Sequence, residues 1–292
     1  MYELIRISER DYYIDCPAKI GLVRIGEQEV ILIDSGSDKD AGKKVLRILE
    51  ANGWRLRAIF NTHSHADHIG GNRFLQEKTG CRIYAKGLEC AYTNTPILEP
   101  MGLYGGLPFR DLKHKFMLAQ ESTALPLAQD VLPEGIELLP LSGHCFEMVG
   151  FKTKDGTAYI ADSVSSEQTL AKYGIGYLWD AEASLRTLEY LKTLEAKTFV
   201  PAHAPVTESI EALAQVNIDA IMGVRRKIIE LCREACTFEA LLKRFFDEYG
   251  LVMTAQQYVL IGSTIRSYLS GLYEQGIVTF AFDENEMRWK TV

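Results

Sequence analysis

The chain contains no apolar run near the eighteen or so residues that a bilayer span requires and no framework of paired cysteines. It also has no surplus of positive charge. Its six cysteines (Cys16, Cys81, Cys90, Cys145, Cys232 and Cys236) are scattered, which argues against a disulfide scaffold and reads as small buried hydrophobes. Cys232 and Cys236 lie one helical turn apart, with no further Cys or His nearby to complete a zinc site. The net charge of -7 argues against general attraction to nucleic acid or anionic membrane, since both need a positive footprint. Met1-Tyr2-Glu3-Leu4 shows no basic stretch leading into an apolar one, so a cytoplasmic location is the expectation. Histidine is scarce as well, at six residues in 292, and three of the six sit in one loop.

That loop is Thr62-His63-Ser64-His65-Ala66-Asp67-His68-Ile69-Gly70-Gly71. It follows the apolar run Leu56 to Phe60, which reads as a strand. A loop leaving a strand can turn His63 and His65 toward one point, while Asp67 and His68, where the chain turns into a helix over Asn72 to Lys78, can face a second. Imidazole and carboxylate suit zinc, iron or manganese, and thiolate is absent from the cluster. Two neighbouring metal positions follow, since packing alone gives no reason to gather so many ligating groups after a buried strand.

His63-x-His65-x-Asp67-His68 resembles the signature of the metallo-β-lactamase superfamily, and further matches follow in order. Ser142-Gly143-His144 is similar to its Gly-His turn, Ala161-Asp162-Ser163 to its strand end with a bridging aspartate, and Pro201-Ala202-His203 to its last histidine. Upstream, Ile31 to Gly36 resembles the strand and Asp-x-Gly turn that support the metal loop. The resemblance covers residues 1 to about 207. It implies that His63, His65 and His144 hold one divalent metal while Asp67, His68 and His203 hold a second, with Asp162 bridging. It also implies a hydroxide shared by the metals as nucleophile, oriented in part by the catalytic Asp67.

The implied fold is α/β, a four-layer αββα sandwich over 1–207. The expected elements are strands near Tyr2–Ser8, Tyr12–Asp15, Ile20–Ile25 and Val30–Asp34, a helix over Lys39–Asn52, and strands from Cys81, Ile136, Val149, Thr157 and Thr198, with a helix over Ala181–Leu194. Residues 88–132 lack a clean period and are rich in Pro and Gly, so they are expected to form an irregular, lid-like insertion over the metals or an association surface. From 208 to 292 the pattern is helical: Leu213–Cys236, Thr237–Tyr249, and a third helix opened by the capping box Thr254-Ala255-Gln256-Gln257, then a hairpin. This order resembles a winged-helix tail found in a ribonuclease-containing branch of the superfamily. The tail's acidic residues outnumber its basic ones and its third helix carries one arginine, so packing or dimerisation is favoured over nucleic-acid reading.

The reaction class implied is hydrolysis. His65 stands where the oxygen-reducing di-iron branch has glutamate, and Asp162 is present where true β-lactamases lack it. A small ester or thioester is the favoured substrate, because the insertion is apolar and aromatic, although no basic cluster matches the glutathione recognition of glyoxalase II-type enzymes. The alternatives are a ribonuclease or phosphodiesterase, a single-iron sulfur dioxygenase, and a non-catalytic metal or ligand sensor. Zinc is the favoured metal, with iron or manganese equally compatible in donor chemistry. Cys145, beside His144, is expected to be a buried spectator.

Overall fold

The computed structural model describes residues 2–292. An antiparallel meander opens the chain: β1 (Glu3–Arg6), β2 (Asp11–Asp15), β3 (Ile20–Arg24) and β4 (Glu29–Ile33). Helix α1 (Lys39–Ala51) crosses to β5 (Arg55–Phe60), and Asp38 caps it by accepting the amides of Asp40 and Ala41. The short α2 (Ala66–Ile69) and α3 (Asn72–Thr79) lead to β6 (Arg82–Ala85). Strands β4, β5 and β6 pair in parallel. Within β4, Val30 and Leu32 pack toward the covering helices while Ile31 and Ile33 pack toward the second sheet, which is why the strand reads as an unbroken apolar run.

The segment expected to be irregular is so only in part. It holds α4 (Gly87–Asn94), α5 (Leu98–Tyr104), a 3-10 turn at Arg110–Leu112, and β7 (Ala124–Pro126), which adds a parallel seventh strand to the sheet beyond β6. The period fails in α4 because its buried face carries Glu89 and Thr93, two polar residues at i, i+4. In α5, Pro100 occupies the first turn, where proline is tolerated but reads as a breaker.

The second sheet runs in the order β11 (Thr198–Pro201), β10 (Thr157–Ala161), β9 (Val149–Thr153) and β8 (Ile136–Pro140). Phe60, Phe151, Tyr159 and Val200 fill the space between the sheets. Helix α6 (Glu167–Tyr173), not anticipated from the pattern, precedes α7 (Ala181–Thr193), which covers the second sheet's far side through Leu188 and Leu191. The layers are therefore αββα, as expected.

The C-terminal part comprises α8 (Glu211–Leu231), β12 (Cys236–Thr237), α9 (Phe238–Glu248), α10 (Ala255–Glu274), β13 (Val278–Asp283) and β14 (Glu286–Thr291). The first helix stops five residues before Cys236, because Cys236 and Thr237 pair with Trp289 and Arg288 in a three-stranded sheet. The Thr291 amide takes up the Cys232 carbonyl left open at the helix end. Thr254 caps α10 by accepting the Gln257 amide. One apolar cluster runs from Leu141 and Ile160 of the sandwich through α7 to Ile228, Phe245 and Leu269, so the last three helices share a core with the second sheet.

Candidate metal centre

The strand ends deliver the site. The loop between β5 and α2 carries His63 and His65, and α2 itself carries Asp67 and His68; the turn between β8 and β9 carries His144; Asp162 follows β10 and His203 follows β11. Two strand ends around the site are conformationally forced: Asp34 after β4 and Ala161 before Asp162 have φ of 66° and 48°, values that non-glycine residues adopt only when the surroundings over-determine them. The paired glycines after His68 are required by close approach. A side chain on Gly70 would stand 2.3 Å from the Ser37 carbonyl, and one on Gly71 would stand 2.3 Å from that of Ser35.

All seven residues singled out in the sequence converge. His63 Nε2 lies 3.1 Å from His65 Nδ1, which lies 3.0 Å from His144 Nε2. His203 Nε2 is 3.2 Å from Asp67 Oδ2 and 3.3 Å from Asp162 Oδ2, and His68 Nε2 is 3.2 Å from Asp162 Oδ1. The same Asp162 Oδ2 is 3.4 Å from His144 Nε2, so one carboxylate faces both groups. His114 stands apart in the insertion, its Nδ1 accepting the Phe116 amide.

The outer ring nitrogens are held by the fold. Asp34 accepts from the Thr62 amide and hydroxyl and from His68 Nδ1, and the Thr62 oxygen in turn meets His63 Nδ1 at 3.0 Å. His144 Nδ1 donates to the Tyr177 carbonyl and His203 Nδ1 to the Pro17 carbonyl. Each of these four rings therefore points its Nε2 inward; in His63 and His144, which burial keeps neutral, that atom carries the bare lone pair a metal ligand needs. His68 Nε2 and Asp162 Oδ1 are buried and, despite their 3.2 Å separation, lack hydrogen-bonding geometry. Converging nitrogen and carboxylate donors, two of them buried without a hydrogen-bond partner, fit a cation. The gaps of 3.0–3.1 Å among His63, His65 and His144 approach the roughly 3.3 Å edge of a tetrahedron built on zinc–nitrogen bonds of about 2.0–2.1 Å.

The two groups titrate in opposite senses. Burial lowers His63 well below the ordinary histidine value, lowers His65 to about 3, and lowers His144 against the pull of Asp162. Burial also opposes charge on His68, but Asp162, Asp67 and Asp34 outweigh it and raise that ring well above its usual value. Asp162 pushes His203 up to about 10. Asp67 and Asp162, despite burial, are held below the usual carboxylate range by His68 and His203.

Three residues around the centre escaped sequence reading. Buried Glu89, on α4, accepts the Ser64 amide and hydroxyl and the Glu147 amide, clamping the insertion to the histidine loop. Glu99, on α5, reaches within 3.9 Å of His65 Nε2; burial, then Asp67 and Glu89, raise its pKa well above the ordinary value. The Tyr177 ring lies edge-on to His65 and His144. The only sequence signal for Tyr177 is its place in a short Gly-rich run after α6. Cys145 is buried, as expected, yet its Sγ touches His65 Nε2 at 3.1 Å, which makes it a neighbour of the ring and not a bystander.

A model of the metallo-beta-lactamase superfamily matches residues 13–203. The chain belongs to that superfamily. Among the relatives of this metallo-beta-lactamase member, a hydroxyacylglutathione hydrolase of Methylococcus capsulatus is 29% identical over 195 residues, spanning 63% of this chain and 65% of that protein. The match thus covers just under two thirds of that relative's length. Another, from Erythrobacter litoralis, is 43% identical over 56 residues, 18% of this chain and 22% of that one. A metallo-beta-lactamase family protein of Thermus thermophilus superposes at TM-score 0.71 with 18% identity, covering 99% of this chain and 97% of its own. A beta-lactamase domain protein of Burkholderia ambifaria gives 0.74 with 13% identity, over 99% and 94%. A metallo-beta-lactamase of Pontibacter korlensis gives 0.54 with 16% identity but covers only 75% of this chain and 98% of that one. The first two therefore share the fold through the C-terminal helices. Membership in this superfamily implies divalent metal binding, and the class of enzyme that the family and the relatives indicate is a metal-dependent hydrolase.

Proposed function

We propose that the protein is a dinuclear metal-dependent hydrolase acting on a small ester or thioester. His63, His65 and His144 would hold one ion, Asp67, His68 and His203 the other, and Asp162 would bridge them. The observation that carries this reading is Asp162 Oδ2, placed within 3.4 Å of His144 Nε2 and 3.3 Å of His203 Nε2. Two divalent ions, most simply zinc, lower the pKa of water toward neutrality and polarise a carbonyl oxygen.

The chain's own residues do the rest. Asp67, the most exposed carboxylate of the set at 38%, orients the attacking water and accepts its hydrogen bond. Asp34 keeps the His63 and His68 rings from turning. In the reaction, the water oxygen bonds to the acyl carbon, the carbon–sulfur or carbon–oxygen bond breaks, and the thiol or alcohol leaves with a proton. The hydroxyacylglutathione hydrolase names of the sequence relatives favour a thioester over a phosphodiester, and the acidic tail favours the same. This reading divides the chain into a catalytic part, 1–207, and a winged-helix-like part, 208–292, supported by the change from sandwich to helices near Glu211. No helix among the described residues is long and apolar enough to cross a membrane.

Elemental analysis of the purified protein, paired with hydrolysis of a generic thioester and a bis-aryl phosphodiester, tests the reading. About two zinc or manganese ions per chain with thioester cleavage is the expected result. Phosphodiester cleavage alone, or one iron with neither activity, would overturn it.

A further inference from the structure

Behind His144, Asp162 and His203 lies a cavity of about 80 Å³, several times the roughly 10–15 Å³ that one water occupies. Four parts of the chain wall it: Leu141 just after β8, the stretch from Ser163 to Leu178 that includes α6, α7 through Ser184 and Leu188, and helices α8 and α10 through Ala220, Val224 and Tyr268. Apart from the three site residues, none of its lining residues is charged. A carboxylate or phosphate entering here would lose its water without meeting a cation, whereas a neutral apolar group gains by leaving water. Ser163 Oγ, like Asp162 Oδ1, is buried with no hydrogen-bond partner, too enclosed to anchor a ligand. Asn217 is no anchor either. Its amide is used up on Ser165 N, Ser165 O and Leu213 O, which fixes α8 against the cavity wall.

On the hydrolase reading above, we infer that this cavity is the acyl pocket. It takes the short, uncharged acyl chain of the substrate. The thiol or alcohol portion stays on the open side, where Asp67 and His203 are 38% and 31% exposed. Helix α8 sets the accepted chain length through Ala220 and Val224, so residues from the C-terminal part select the substrate of a centre built entirely by the sandwich.

The test compares kcat/KM for hexanoyl and acetyl thioesters in the metal-loaded protein. Ala220→Leu fills the cavity and should lower the hexanoyl-to-acetyl ratio about tenfold, the scale of one or two methylenes in an apolar pocket. Val224→Ala enlarges it and should raise the ratio. Ratios within about twofold of the parent in both variants, with metal content and melting temperature unchanged, would overturn the inference. If the parent protein cleaves no thioester, fluorine NMR with 4,4,4-trifluorobutanamide decides separately. Line broadening that Ala220→Leu abolishes would keep the pocket while removing the proposed reaction; equal line widths in parent and variant would remove the pocket as well.

Discussion

His63, His65 and His144 gather three imidazoles that burial keeps neutral, whereas His68 and His203 face two carboxylates that hold protons on them. The first group is already in the protonation state a metal requires. The second must release protons before its nitrogens can bind, since a ligand imidazole is neutral. Neutral donors leave a bound dication its full charge, and carboxylates offset it, so the two positions should differ in how they polarise what they hold. Asp162 faces both groups.

Removing that shared residue should have the largest effect. With Asp162→Ala, thioester hydrolysis should fall below detection and metal content should drop at both positions, with circular dichroism unchanged. Asp67→Ala and His65→Ala should also abolish hydrolysis, each emptying chiefly its own position; parental rates from either in metal-replete buffer would sink the assignment. Next in size is Asp34→Ala, which frees His68 directly and His63 through Thr62. Loss of such an outer partner typically costs roughly 10- to 100-fold in metal affinity or activity, measurable by competition with a chelator. Asp34→Asn, which tolerates the left-handed backbone, should recover part of it.

The opposed titrations give a third prediction. A histidine whose folded pKa lies above its unfolded value of about 6.5 adds stability that is complete below that value and disappears as pH rises through the folded pKa. For His203 that window runs from about 6.5 to about 10. The melting temperature of metal-free protein should therefore fall between pH 7 and 10, and Asp162→Asn should flatten the slope. A slope identical in the two proteins would refute the charge pairing. The smallest effect should come from Glu89→Gln. It keeps one acceptor for Ser64 but weakens the clamp, at about 1 kcal/mol of stability, read by denaturant unfolding with hydrolysis little changed.

The difference between what could and could not be read from the residues is itself physical. The histidine loop was legible because four donors sit within six positions, and no packing requirement imitates that. His144, Asp162 and His203 were legible only as matches in order to a known pattern. Glu89 and Glu99 act from the insertion on a loop some 25 and 34 positions upstream, through single hydrogen bonds or close approach, and a lone acidic residue carries no such address. The insertion's helices stayed hidden for the same reason: Glu89 and Thr93 are buried and polar, so inward and outward faces look alike. At Cys236, strand pairing with Trp289 overrode a helical pattern that local residues alone would have continued.

The apolar cluster that joins β8 and β10 to Phe245 and Leu269 also bears on how the molecule comes apart. Layers that share side chains melt together, so the sandwich and the last helices should lose structure in a single cooperative step. A chain cut after residue 207 would bare the face on which Ile221, Val224 and Ile228 rest, and such a surface invites aggregation. The C-terminal helices are then less an attachment to be exchanged between enzymes than the outer leaf of the second sheet.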